Sequence, residues 1–157
     1  MSLARDLIQA AKAKGIMVAT AESCTGGMVA AAITDVAGSS AVLDRGFVTY
    51  TNAAKSDLLG VQTETLDAHG AVSEAVANEM AKGALKNSNA HITVSITGIA
   101  GPGGSEFKPE GRVCFGISFK STTRTETIEF GALGRKSVRE SAKNHALALL
   151  LACVLEY

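Results

Sequence analysis

The stretch Thr20-Ala21-Glu22-Ser23-Cys24-Thr25-Gly26-Gly27 joins an apolar segment, residues 16–21, to an Ala-rich helical one, residues 28–33. Between the two stand a carboxylate, a hydroxyl, a thiol, a second hydroxyl and two glycines. This is a strand–turn–helix pattern, and such turns hold reactive side chains above the end of a sheet. Adjacent glycines let backbone N–H groups come close to an anion or a developing oxyanion at a helix start. The same residues also suit a plain helix N-cap, with Ser23 or Thr25 capping and the glycines only turning the chain. On local chemistry the two readings stand level, and they can coexist.

Working outward from that turn, Leu3, Leu7, Ile8 and Ala11 follow helical spacing and stop near Lys14-Gly15. Residues 16–21 read as a strand and 27–34 as a helix. Residues 41–49 contain a strand with Phe47 and Val48, and residues 52–59 form a short helix closed by Gly60. Ser73 caps a helical stretch that runs to Leu85. Residues 92–97 are β-branched and short, which predicts a central strand. Residues 98–111 hold five glycines and both prolines, the one long loop, and loops of that length are functional or mobile. Residues 112–120 and 124–130 read as a hairpin turning at residues 121–123, and residues 137–155 as a last helix. The order of elements predicts an α/β fold, a three-layer sandwich with a mixed β-sheet and helices on both faces, in a single domain across residues 1–157.

Composition narrows the function. Apolar residues make up 46% of the 157, charged ones 19% and aromatics only 4%, so the core rests on Ala, Val, Ile and Leu. Heavy use of Ala and Gly predicts helices packed closely on the sheet. Fifteen basic and fifteen acidic residues balance, so the footprint of nucleic-acid binding is missing. No apolar run reaches the length of a membrane span, and no signal peptide is visible at the N-terminus. Cys24, Cys114 and Cys153 have neither metal-type nor redox-pair spacing, which suits a reducing, cytoplasmic setting. His69, His91 and His145 are scattered, so no metal is expected, and no phosphate-loop or dinucleotide motif implies a cofactor.

The turn also resembles the signature of the CinA C-terminal domain family, whose enzymes are nicotinamide mononucleotide amidases. The resemblance continues in order through Gly46-Phe47-Val48-Thr49-Tyr50-Thr51-Asn52-Ala53-Ala54-Lys55 and Gly60-Val61. It runs on through His69-Gly70-Ala71-Val72-Ser73-Glu74, then Ser95-Ile96-Thr97-Gly98-Ile99-Ala100-Gly101-Pro102-Gly103-Gly104, then Lys108-Pro109-Glu110-Gly111 and residues 135–139. It covers nearly the whole chain and implies a stand-alone amidase domain acting on a small mononucleotide, with no nucleic-acid or membrane partner. Assembly into a homo-oligomer is compatible with it. Glu110 stands where that family usually has a small apolar residue, and Phe107 enlarges the loop tip, so both bear on substrate preference.

An amide hydrolase needs a nucleophile, a base, an oxyanion site and a proton for the leaving amine. The resemblance implies Ser23 as nucleophile and Lys55 as base. A lysine base must be neutral, and at a pKa of ~10.4 only about one lysine in 2,500 is so at pH 7. Lowering the pKa by about three units costs roughly 4 kcal/mol, to be met by burial and nearby positive charge, for which Arg139 is placed. Taken alone, Lys55 is an ordinary surface lysine on a short helix. Tyr50 is expected to relay a proton or orient Lys55. Thr25, Gly26, Gly27, Thr97 and Gly98 are the candidates for cradling the oxyanion or phosphate, and Arg139 for holding the phosphate. Cys24 is intrinsically the better nucleophile, and residue physics alone does not choose between it and Ser23. Residues 105–108 fit an S-x-x-K pattern, but in a Gly/Pro-rich loop rather than at a helix start.

Overall fold

The computed structural model describes residues 2–157. In chain order the elements are α1 (Leu3–Lys14), β1 (Val18–Glu22), α2 (Met28–Thr34), β2 (Leu43–Val48), α3 (Asn52–Leu59), α4 (Thr63–His69), α5 (Glu74–Lys86), β3 (Ile92–Gly98), β4 (Arg112–Phe119), β5 (Thr122–Glu129) and α6 (Arg135–Glu156). The sheet order is β2-β1-β3-β4-β5, with the β-branched run of β3 at its centre. β1 pairs in parallel with both β2 and β3, whereas β3–β4 and β4–β5 are antiparallel. Helices α1, α2 and α6 pack on one another over one face of the sheet, and α3, α4 and α5 cover the other. The mixed-sheet sandwich expected from the element order is therefore the one observed.

Alternation along β3 explains the two unlike layers. Ile92, Val94 and Ile96 face the larger apolar core, built with Leu7, Val29, Val138 and Leu150. Their neighbours Thr93, Ser95 and Thr97 face the other way, buried under α5 and its N-terminal turn. Thr93 Oγ1 donates to the carbonyl of Ala81 at 2.7 Å and Ser95 Oγ to that of Ala77 at 2.6 Å. Those carbonyls are one helical turn apart, so a row of small hydroxyls matches the helix pitch. Large side chains would hold α5 away. Gly116 of β4 continues the pattern, since a Cβ there would meet the Ala77 carbonyl oxygen at 2.5 Å.

Local signals set most boundaries. Ser2, Thr51 and Ser73 accept from the backbone N–H groups of Arg5, Ala54 and Val76, capping α1, α3 and α5. Gly15 and Gly60 close α1 and α3 in the left-handed conformation. Three details differ from the sequence reading. Helix α4 is additional: it has seven residues, one buried apolar side chain (Leu66) and no side-chain cap, so its periodic signal is minimal. The hairpin turns at Lys120-Ser121 rather than at residues 121–123, because Lys120 takes up φ +54° and lets Thr122 and Thr123 join the edge strand. Helix α6 begins two residues early, with Arg135 in its first turn.

The glycine-rich packing extends to α3, which matters for what that helix carries. Gly83 of α5 lies directly against the backbone of Leu59 at the end of α3, with no room for a Cβ. Gly83→Ala is therefore expected to lower the unfolding free energy by about 1–3 kcal/mol. This is opposite in sign to the roughly 1 kcal/mol that alanine gains over glycine in an open helix. Urea unfolding measures the change; an unchanged or stabilised variant would show that α3 yields without cost.

Candidate active site

Residues at the carboxyl ends of the parallel strands converge on one polar pocket of about 340 Å³. Open α/β sheets bind ligands in this position. β1 ends at Glu22, and Ser23 follows immediately, its N–H donating to the carbonyl of Ile96 on β3 at 2.9 Å. On the other side, Thr49 N–H donates to the Glu22 carbonyl at 2.9 Å, drawing the end of β2 to the same level. The pocket is lined by Ser23, Cys24, Tyr50, Asn52, Lys55, residues 97–106 and Arg135.

Glu22 sets the turn. Its carboxylate is fully buried and accepts five hydrogen bonds. Oε1 takes the Thr25 hydroxyl at 2.7 Å and the N–H groups of Gly27 and Val29 at 3.2 and 3.0 Å. Oε2 takes the Thr20 hydroxyl at 3.3 Å and the Ala30 N–H at 3.0 Å. The start of α2 does cradle an anion, but that anion belongs to the chain itself. Gly26 and Gly27 both have positive φ, and the Gly26 N–H is spent on the Ser23 carbonyl at 3.0 Å. The Thr25 hydroxyl and the N–H groups of Gly26 and Gly27 are thus spent on shaping the turn and are not free for an oxyanion. Among the described residues the N–H groups of Cys24 and Thr25, which follow Ser23 directly, donate to no other residue.

Arg139 holds the same turn by its acceptors. Its Nε donates to the Cys24 carbonyl at 2.9 Å and its Nη2 to the Thr25 carbonyl at 3.3 Å. It does not line the pocket. The arginine that does is Arg135, one helical turn earlier in the same basic cluster, from which the sequence reading singles out Arg139. Arg135 Nη2 donates to the Tyr50 hydroxyl at 2.8 Å and Nη1 to the Gly101 carbonyl at 2.7 Å. Tyr50 meets Lys55 through its backbone, its carbonyl accepting from Nζ at 3.3 Å, while the residue as a whole is 57% exposed. Thr97 and Gly98 line the pocket floor, with the Thr97 hydroxyl donating to the Ala71 carbonyl at 2.9 Å. A Cβ on Gly98 would meet Val113 at 2.7 Å, so glycine is needed where β3 passes β4.

Lys55 lies in the first turn of α3 and points inward; only 1% of it is exposed. Its Nζ is 3.0 Å from Ser23 Oγ. Burial pushes the Lys55 ammonium below the ordinary lysine value of 10.5, partly opposed by Cys24 and Glu106. Desolvation accounts for the lowering; Arg139 acts on the turn instead. The neighbouring Cys24 thiol is pushed up to about 12, chiefly by burial and slightly by Glu22, against its own backbone N–H and the favourable fields of Arg139 and Lys55. It is therefore a protonated thiol near neutrality, and thiols react as thiolates. The balance between Ser23 and Cys24, level in the sequence, tilts to the serine. Among the described residues no three His, Cys, Asp or Glu side chains converge as metal ligands.

Glu22→Gln tests the anchor. Whichever way the amide turns, its NH2 group faces a backbone N–H, of Gly27 and Val29 on one side or of Ala30 on the other. An orphaned buried donor costs about 1–3 kcal/mol, so the variant is expected to lose at least that much stability by chemical unfolding. A variant as stable as the parent would show that the carboxylate is not what holds the turn.

A family model for the CinA C-terminal domain matches residues 1–154. The chain is 54% identical over 154 residues to the nicotinamide-nucleotide amidohydrolase PncC of Escherichia coli strain K12, covering 96% of this chain and 92% of that protein. Its fold is that of the competence/damage inducible protein CihA of Agrobacterium tumefaciens, with TM-score 0.92, 51% identity and coverage of 96% and 92% of the two chains. It also matches the competence damage-inducible protein A of Klebsiella pneumoniae, with TM-score 0.95, 39% identity and coverage of 99% and 96%. The strand–turn–helix that carries Ser23, the lysine folded in beside it and these likenesses agree: the chain belongs to the CinA C-terminal domain family.

Proposed function

We propose that this protein hydrolyses the carboxamide of nicotinamide mononucleotide to nicotinate mononucleotide and ammonia, with Ser23 as nucleophile and Lys55 as base. The observation that carries the reading is the 3.0 Å approach of a buried lysine amine to Ser23 Oγ at the wall of a polar pocket. A neutral amine takes the hydroxyl proton as Oγ attacks the amide carbon, forming a tetrahedral oxyanion. The N–H groups of Cys24 and Thr25, directly after Ser23, are the donors for that oxygen, in the position used by the residue after a nucleophile in other strand–turn–helix hydrolases. The lysine ammonium then gives its proton to the leaving nitrogen, ammonia departs, and a Ser23 ester remains. Water, deprotonated by the same amine, cleaves the ester and restores the hydroxyl.

The substrate comes from the likeness to PncC together with the character of the pocket. Arg135, braced by Tyr50 and Gly101, takes the phosphate in place of Arg139. Three free, buried cysteines support a reducing cytosol as the place of action, and no described helix is long and apolar enough to cross a membrane.

Assays of ammonia release test the roles. Ser23→Ala is expected to abolish turnover with folding intact, and Cys24→Ala to keep most of it. Lys55→Arg is expected to lose about 10²–10⁴-fold, because a guanidinium stays protonated and cannot act as a base. Activity in the arginine variant would exclude Lys55 from that role. In the unmodified enzyme kcat/KM should rise with pH as Lys55 loses its proton, with a midpoint below the ordinary lysine value of 10.5. The sign follows from the depressed pKa, since the active form is the deprotonated one. A profile that falls over that range would point to a different base.

A further inference from the structure

Residues 98–106 line the pocket that Ser23 also lines, and the loop they belong to, residues 98–111, is fastened at two places by its own side chains. On the far limb, Lys108 Nζ donates to the carbonyls of His69 and Val72 at 2.8 and 2.6 Å, pinning it to the turn between α4 and α5. The near limb, residues 101–104, is held by Glu110. Its Oε1 accepts from the Gly103 N–H at 2.7 Å, and its Oε2 accepts from the Gly134 N–H at 3.0 Å. The fit is close, for a Cβ on Gly101 would lie 2.6 Å from Glu110 Cδ.

Gly134 is the residue immediately before Arg135. The guanidinium of Arg135 reaches back to the Gly101 carbonyl on one side and to the Tyr50 hydroxyl on the other. The loop wall and the start of α6 are thus tied to each other twice: once by the guanidinium and once by the carboxylate beneath it. We propose that Glu110 is a positioning residue: it fixes where Arg135 meets the anionic end of the substrate and so favours phosphorylated over phosphate-free amides. This rests on the amidase reading above.

The physical reason is the division of labour between the two ties. Arg135 can bind a phosphate only by sharing or giving up one of its present acceptors. Glu110 leaves the backbone around it in place when that happens. Its carboxylate also fills the corner between the Gly103 N–H of the loop and the N–H of Gly134, the residue that precedes a 22-residue helix. Such a corner would otherwise attract an anion. With it occupied, the substrate phosphate is directed to the guanidinium.

The test compares the parent with Glu110→Ala and Glu110→Gln. Calorimetric titration uses nicotinate mononucleotide and nicotinate riboside; kinetics use nicotinamide mononucleotide. Glu110→Ala is expected to weaken mononucleotide binding and raise KM by about tenfold, as for loss of a hydrogen bond to a charged group. The fall in kcat should be much smaller, and riboside binding should barely change. Glu110→Gln, which keeps one acceptor oxygen, should fall between the two. Amide exchange should quicken at Gly103 and Gly134 in the alanine variant, with the sheet unaffected. Equal weakening of both ligands, a fall in kcat at constant KM, or unchanged exchange at both glycines would overturn the proposal. A parent protein that binds the mononucleotide but releases no ammonia would overturn the amidase reading alone, and the two affinities would still decide the role of Glu110.

Discussion

A tight turn of five residues, buried at the end of a sheet, has more backbone donors and acceptors than it can satisfy by itself. Here two side chains of opposite charge divide them. Glu22, from the strand before the turn, collects the Thr25 hydroxyl and the N–H groups of Gly27, Val29 and Ala30. Arg139, from the last helix, collects the carbonyls of Cys24 and Thr25. Each charge is dispersed over several peptide dipoles, which is how an ion is kept in a dry place. The result is that Ser23 has no freedom of its own. Its position follows from a strand, a helix and two ions.

The second constraint is the burial of Lys55. Taking an ammonium out of water disfavours its charge, and the depressed pKa records that. The amine does not lie in an apolar void, however, since the Tyr50 carbonyl and the Ser23 hydroxyl both meet it. It is a site with enough polarity to hold the nitrogen in one place and too little to hold it charged at the usual strength. Helix α3 carries this group, and α3 is seated by the close contact of Leu59 with Gly83. A glycine one layer away thereby bears on the distance between amine and hydroxyl.

Much of this was legible in the chain. The apolar runs at residues 16–21 and 92–97 marked two of the three parallel strands, and the glycines after Lys14 and Leu59 marked where helices end. Helix α4 was not legible, because one buried leucine in seven residues leaves no periodicity to read. In the site, Ser23, Lys55 and the glycine-rich wall were visible by residue type and resemblance. Arg139 was visible only as a basic residue in the first turns of the last helix; which carbonyls or phosphates it meets depends on how α6 lies across the sheet. Arg135 and Arg139 are four residues apart on one helix, so only the tilt of that helix decides which of them faces the pocket. Glu22 stood in plain sight in the turn, yet a carboxylate at a strand end has no partner in sequence. Its five donors lie two to eight residues away and assemble only when the turn closes.

The hydrogen bond from Arg139 to the Cys24 carbonyl spans 115 positions of the chain. Lys14 adds a second long tie, donating to the carbonyls of Val154 and Leu155 and sealing the far end of the same helix. The turn that carries Ser23 is encoded early and its clamp late. During synthesis the parallel strands and Ser23 emerge well before α6, and the turn must wait with its carbonyls open to water. Long-range closure of this kind comes late in folding. The chain therefore carries a built-in order of events, in which the Ser23 hydroxyl is set in place only when the last helix docks and a half-made polypeptide lacks the finished turn.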